Sequence, residues 1–153
     1  MPSLELKVPP LALVAVLAAL MWLGARALPS LAFAFPGLML AALLLAAAGV
    51  LVVAAGVTAF RRARTTVDPR DPARSSELVA TGIYRASRNP MYLGMLLLLA
   101  AWSVFLGSAP ALLALPAFVA WMNRFQIAPE ERALRARFGD RFTSYERRVR
   151  RWL

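Results

Sequence analysis

Four unbroken apolar runs, at 9–28, 36–60, 90–106 and 110–125, dominate this chain, and the segments between them carry charge that is mostly arginine. About 20 apolar residues cross the roughly 30 Å hydrocarbon core of a bilayer as a helix. Inside hydrocarbon every backbone polar group must be satisfied within the protein, so such runs are read as helices and not as loops or open strands. With 60% of its 153 residues hydrophobic, the chain is too apolar for a soluble fold of this size. The expected fold is an all-α membrane protein with about four transmembrane helices, the last two short, followed by an amphipathic helical segment. Pro9, Pro36, Pro90 and Pro110 stand near the starts of the runs, where a missing amide hydrogen costs little. The first run is too long, and lacks the small-residue cleavage pattern, for a removable signal peptide, so it is read as a retained span.

The net charge of +10 does not point to nucleic acid, because the arginines are confined to the segments between apolar runs, where basic residues set membrane orientation. Residues 61–88 hold seven arginines against Asp68, Asp71 and Glu77, and the tail from Arg124 holds nine against Glu130, Glu131, Asp140 and Glu146. The links "PSLAFAF" and "GSAP" carry no charge. Both termini and the long second connection are therefore expected in the cytoplasm, which four crossings satisfy. Lys7 fits that side, and Arg26 is an exception that snorkels. The chain has no cysteine and no histidine. Disulfides, thiol nucleophiles and imidazole bases are thereby excluded and no metal is expected, so any chemistry falls to Arg, Glu, Asp, Tyr, Asn or backbone groups.

The short "GSAP" link makes the third and fourth runs an antiparallel hairpin, which brings "YRASRNPMY" close to "RFQIAPEER" at one membrane face. Asn89 is expected to cap the third helix with Pro90 as its first residue, so that free N–H groups and the positive end of the helix dipole favour an anion. Arg88 and Arg85 add guanidinium forks suited to carboxylate or phosphate. Tyr84 and Tyr92 are equally explained as interfacial anchors. Glu130 and Glu131 lie in the first turn of a helix continuing from, or kinked at, Pro129 and stopped at Gly139. They are explained either as helix-start electrostatics, with Glu131 pairing to Arg135 one turn on, or as a seat for an ammonium group. In the final segment Phe142, Tyr145 and Val149 recur at helical spacing among arginines, with Trp152 as an interfacial ring, which also describes a basic helix lying on anionic headgroups through Arg147, Arg150 and Arg151.

"LVATGIYRASRNPMYLG", a short apolar hairpin and then "EERALRARFGDRFTSYERRV" together resemble the isoprenylcysteine carboxyl methyltransferase family and its phospholipid methyltransferase relatives. The resemblance covers residues 78–149. It rests on the family pattern G-x-Y-x-x-x-R-H-P-x-Y-x-G, then E-E-x-x-L and F-G-x-x-Y-x-x-Y, matched here by Gly82, Tyr84, Arg88, Pro90, Tyr92 and Gly94 and by Glu130, Glu131, Leu134, Phe138, Gly139 and Tyr145. Asn89 replaces the family's histidine and Phe142 its first tail tyrosine. The resemblance implies one membrane methyltransferase domain over 1–153, with two N-terminal spans in 1–60 and the catalytic hairpin and tail in 78–153. It implies S-adenosylmethionine as methyl donor and S-adenosylhomocysteine as product, held at the cytoplasmic mouth by Tyr84, Arg88, Asn89, Pro90, Tyr92, Leu93, Gly94, Ile127, Glu130 and Glu131. It implies catalytic roles for Arg88, Arg148 and Tyr145, the two arginines bracketing an acceptor carboxylate. The acceptor is then a lipophilic or lipidated molecule such as an isoprenylcysteine. Two alternatives stay open: N-methylation of an aminophospholipid with a glutamate as base, and a non-enzymatic scaffold that gathers anionic lipid.

Overall fold

The computed structural model describes residues 4–63 and 77–153, and among these it contains helices and one isolated bridge, Ala32 to Ser108, but no strand. Residues 64–76, which carry part of the basic second connection, lie outside the described residues. In chain order the α-helices are α1 (Pro10–Ala27), α2 (Leu38–Arg62), α3 (Pro90–Leu106), α4 (Ala114–Trp121), α5 (Ala128–Phe138) and α6 (Asp140–Arg148). A 3-10 turn, Pro110–Leu113, leads into α4, and a π-helical stretch, Met122–Ile127, joins α4 to α5. Residues 110–138 thus form one helical rod.

Among the described residues three stretches are long and apolar enough to cross a membrane: α1, α2 and the rod Pro110–Phe138. The third expected span, α3, is apolar but only 17 residues long, a rise of about 25 Å. It ends at Gly107, whose φ of 56° lies in the left-handed region and whose added Cβ would meet the Phe33 carbonyl oxygen at 2.6 Å. Glycine is the residue that tolerates both conditions.

The central helix is α3, packed against α2 along its length and against α1 and the rod on its other sides. On α2 the buried residues are Ala42, Gly49 and Gly56, seven apart, while Leu43, Leu44 and Leu51 are exposed. Large apolar groups outside and small ones inside are what lipid demands, because hydrocarbon drives no Leu inward and close backbone approach supplies the packing instead. A Cβ on Gly94 of α3 would stand 2.5 Å from Val53 Cγ2 and 2.7 Å from the Gly49 carbonyl oxygen. Gly94→Ala is therefore expected to lower stability by about 1–3 kcal/mol. Gly56→Ala, whose Cβ at 2.6 Å meets the movable Met91 side chain, is expected to lower it less. Thermal unfolding in detergent ranks the two, and equal losses would contradict the close contact.

Pro129 does not end the rod. Proline supplies no N–H to the carbonyl four residues back, here Phe125, and its ring crowds that carbonyl. The chain answers by widening into π-helix just before Pro129, and the Leu6 N–H takes the Phe125 oxygen at 3.0 Å. The segment before α1 is so pinned beside the rod, where Glu5 also pairs with Arg132 at 2.6 Å. At the far end of the rod, α6 buries Phe142 and Tyr145 inside the protein. Its apolar face is thus spent on protein contacts and not on headgroups. Trp152 likewise packs against the Ile127 and Met122 core and donates its indole N–H to Asn123 Oδ1 at 3.1 Å, in place of the interfacial position its sequence context implies.

Candidate active site

The short α3 start, the π-widened rod and the residues after α6 converge at one end of the bundle. Arg88 lies there with its side chain only 10% exposed. Its Nη2 donates to Glu131 Oε1 at 2.7 Å, and its Nη1 donates to the carbonyls of Glu146 at 2.9 Å and Val149 at 3.0 Å. Glu146 Oε1 lies 3.5 Å away. Arg88 Nε is buried and has no hydrogen-bond partner among the described residues.

Residues 149–153 form a strap laid across this end. The Arg88 N–H donates to the Arg150 carbonyl at 3.0 Å and Asn89 Nδ2 donates to the Arg151 carbonyl at 2.9 Å. Asn89 occupies the position before α3, but its side chain makes no cap hydrogen bond. Its amide is drawn to the strap instead, and its own N–H is satisfied by Ser87 Oγ at 3.1 Å. Arg151 then reaches back: Nε and Nη2 donate to the two oxygens of Glu131 at 3.1 and 2.6 Å. These hydrogen bonds raise the guanidinium's pKa above its ordinary value, so Arg151 is a permanent cation.

The adjacent glutamates have different surroundings. Glu131 is 7% exposed and held by two arginines, so the expected Glu131–Arg135 pair does not form. Arg135 pairs with Glu146 at 2.7 Å, because α6 folds back alongside α5. Glu130 accepts on Oε1 from the Tyr92 hydroxyl and from Gln126 Nε2, both at 2.5 Å, and makes no ion pair among the described residues. Its Oε2 accepts no hydrogen bond from them.

Tyr84 and Tyr92 are buried at 5% and 6% exposure, so neither is an interfacial anchor. The Tyr145 hydroxyl donates to the Tyr84 carbonyl at 2.7 Å. Burial raises the pKa of both Tyr84 and Tyr145 above the usual phenol value, which keeps them neutral. Arg148 is exposed on the outer side of α6, its Nε bonded to the Ser144 carbonyl of its own helix at 3.1 Å, and it borders an open hollow of about 430 Å³ with Leu78, Ala80 and Tyr145. Gly94 is taken up by the α2 contact and Ile127, at 0% exposure, by the apolar core. Pro90 is buried at the start of α3 and Leu93 is partly exposed one turn along. Sequence reasoning missed Gln126, Asn123 and the role of Arg151. Two amides just before the Pro129 step, inside an apolar rod, were the available signal for the first two.

No solved structure matches the chain. An uncharacterized protein of Haemophilus influenzae is 48% identical over 63 residues, which is 41% of this chain and the whole of that protein. Residues 38–141 match the phospholipid methyltransferase family, a stretch that runs from the start of α2 through Arg88 and the glutamate pair and ends before the strap. Since the match takes in more than half of the residues, the chain belongs to the phospholipid methyltransferase family, within the group of integral membrane methyltransferases.

Proposed function

We propose that this protein transfers a methyl group from S-adenosylmethionine to a lipophilic acceptor that reaches the site from the bilayer. The observation that carries the reading is the pair Glu130 and Glu131, one flanked by neutral donors and the other by two arginines, beside the start of α3. An amino-acid moiety needs one place for an ammonium and one for a carboxylate. Glu130 Oε2 offers the first, and the arginines around Glu131 offer the second. Unsatisfied Arg88 Nε is a further donor that fits such a ligand. Bound S-adenosylmethionine would supply an electrophilic methyl group on a sulfonium. The chain's own contribution is orientation and exclusion of water: Tyr92 and Gln126 fix Glu130, Glu131 fixes Arg88, and Tyr145 ties α6 to Tyr84. Asn89, Pro90 and Leu93 form the adjoining helix start. We place this end of the bundle, with both termini, at the cytoplasmic face on the arginine distribution, in one domain over the whole chain.

Two acceptors are compatible with these residues. A carboxylate, as in an isoprenylcysteine, is already ionised near neutral pH and needs no general base, so a chain without histidine can methylate it by orientation alone. For Arg148 to hold that carboxylate beside Arg88, it has to leave the Ser144 carbonyl and turn inward. An aminophospholipid is the second acceptor. The family's phospholipid description favours it; an amine must lose a proton before it attacks, and Glu130 then acts as that base in place of seating the donor's ammonium. Labelled donor incubated with purified protein and either a prenylated thiol-acid or an aminolipid separates the two. Label in neither acceptor, with no saturable donor binding by calorimetry, would leave a lipid-gathering scaffold as the better account.

A further inference from the structure

The residues just after α6 are more than a structural tie. We propose that Arg151, carried by the strap, forms with Arg88 the subsite for the carboxylate of the donor's amino-acid moiety, with Glu131 orienting both guanidinium groups. The inference rests on the reading of the site as a donor site, and the residue it adds, Arg151, lies beyond the stretch that matches the family, which holds Arg88 and Glu131.

Charge balance is the first argument. Arg88, Arg135 and Arg151 face Glu131 and Glu146 in one connected set of ion pairs, which leaves one positive charge uncompensated. The N-terminus of α3 adds positive potential at the same place. An ammonium on Glu131 would therefore be repelled, whereas a carboxylate is attracted. Unspent donors are the second argument. Arg88 Nε is buried and has no partner among the described residues. Arg151 places Nε and Nη2 on Glu131, leaving its Nη1 without a hydrogen bond among those residues. A buried donor left unpaired is unfavourable, and a carboxylate bridging the two arginines removes that penalty.

Preorganisation is the third argument. Arg88 is held by three acceptors and is 10% exposed, while the Arg151 side chain is 36% exposed and therefore open to an incoming ligand. The Arg151 backbone is nevertheless fixed to Asn89, and the next residue, Trp152, to Asn123. A reachable guanidinium on an anchored backbone is suited to take a bidentate carboxylate with little loss of freedom. Glu130, the neighbour of Glu131, then takes the ammonium.

The test compares binding of S-adenosylmethionine and decarboxylated S-adenosylmethionine to the full chain in detergent, by calorimetry, for the wild type, Arg151→Gln and Arg150→Gln. The wild type is expected to prefer the carboxylate-bearing ligand at least tenfold. Arg151→Gln is expected to lose most of that preference, its affinity for the decarboxylated ligand changing less than twofold, and Arg151→Lys to recover part of it. Arg150→Gln is expected to behave as wild type, since its side chain is exposed and only its carbonyl is used. Equal loss of both ligands in Arg151→Gln would overturn the inference, because a purely structural strap does not distinguish them. Preserved preference in Arg151→Gln would overturn it as well. Failure of the wild type to bind either ligand would instead sink the donor-site reading itself.

Discussion

Arg88→Lys is expected to weaken S-adenosylmethionine binding about a hundredfold, near 2.8 kcal/mol, and to lower the thermal unfolding midpoint by several degrees. The native guanidinium reaches Glu131, the Glu146 carbonyl and the Val149 carbonyl from one rigid plane. A lysine ammonium keeps the charge but concentrates it at one point, so it cannot serve these acceptors together. The strap is then held through fewer bonds, and Glu131 loses one of its two arginines. Lysine is preferred to alanine because it avoids leaving Glu131 with only the more exposed Arg151. Calorimetry gives the affinity and a detergent melt gives the stability, while circular dichroism reports whether helix content is kept. Wild-type affinity in a folded Arg88→Lys protein would remove Arg88 from the donor site. Arg148→Lys, made in parallel, addresses the acceptor: turnover unchanged by it would end the bracketing role implied by the family resemblance.

Glu130→Gln and Glu131→Gln are expected to fail in different ways. A glutamine at 130 still offers an oxygen to Tyr92 and Gln126, so the fold loses little, but the negative charge for an ammonium is gone and donor affinity falls at least tenfold, about 1.4 kcal/mol. A glutamine at 131 leaves Arg88, nine-tenths buried, without its nearer carboxylate and with only Glu146 at 3.5 Å, and breaking a buried pair from one side destabilises by roughly 3 kcal/mol or more. Its melting midpoint should therefore drop well below that of Glu130→Gln. Donor binding and melting curves on the two variants check both halves of the expectation. Were Glu130 instead the base for an amine acceptor, Glu130→Gln would keep its donor affinity and lose transfer to the aminolipid alone. Similar melts for both variants would show that Glu131 is not the centre of the ion-pair set.

Much of the molecule follows from local pattern. Each apolar run contains a helix within two residues of its start, because a continuous apolar stretch in lipid has few other ways to satisfy its backbone. The charge-free "GSAP" link forces α3 and the rod to be neighbours, so Arg88 and the glutamates meet at one end whatever the details of packing. Even the seven-residue spacing of Ala42, Gly49 and Gly56 is written in the chain, although its meaning emerges only when Gly94 is found against it.

What the sequence could not decide is which of several chemically equivalent groups turns inward. Arg147, Arg148, Arg150 and Arg151 sit within five residues, and their side chains have the same charge, length and hydrogen-bonding fork. The choice is made where α6 ends and the chain becomes extended at Val149, turning Arg151 over the start of α3 while Arg148 stays on the outer surface of its helix. The same holds for Glu130 and Glu131. Neighbours on a helix point about 100° apart, so one faces Tyr92 and the other the arginines, and only the position of α3 against the rod fixes which. Local propensity sets where helices begin and end. The identity of a site set by long-range contacts between the strap, α3 and α5 belongs to the tertiary structure, because those contacts join residues some 20 to 60 positions apart that no local pattern can relate.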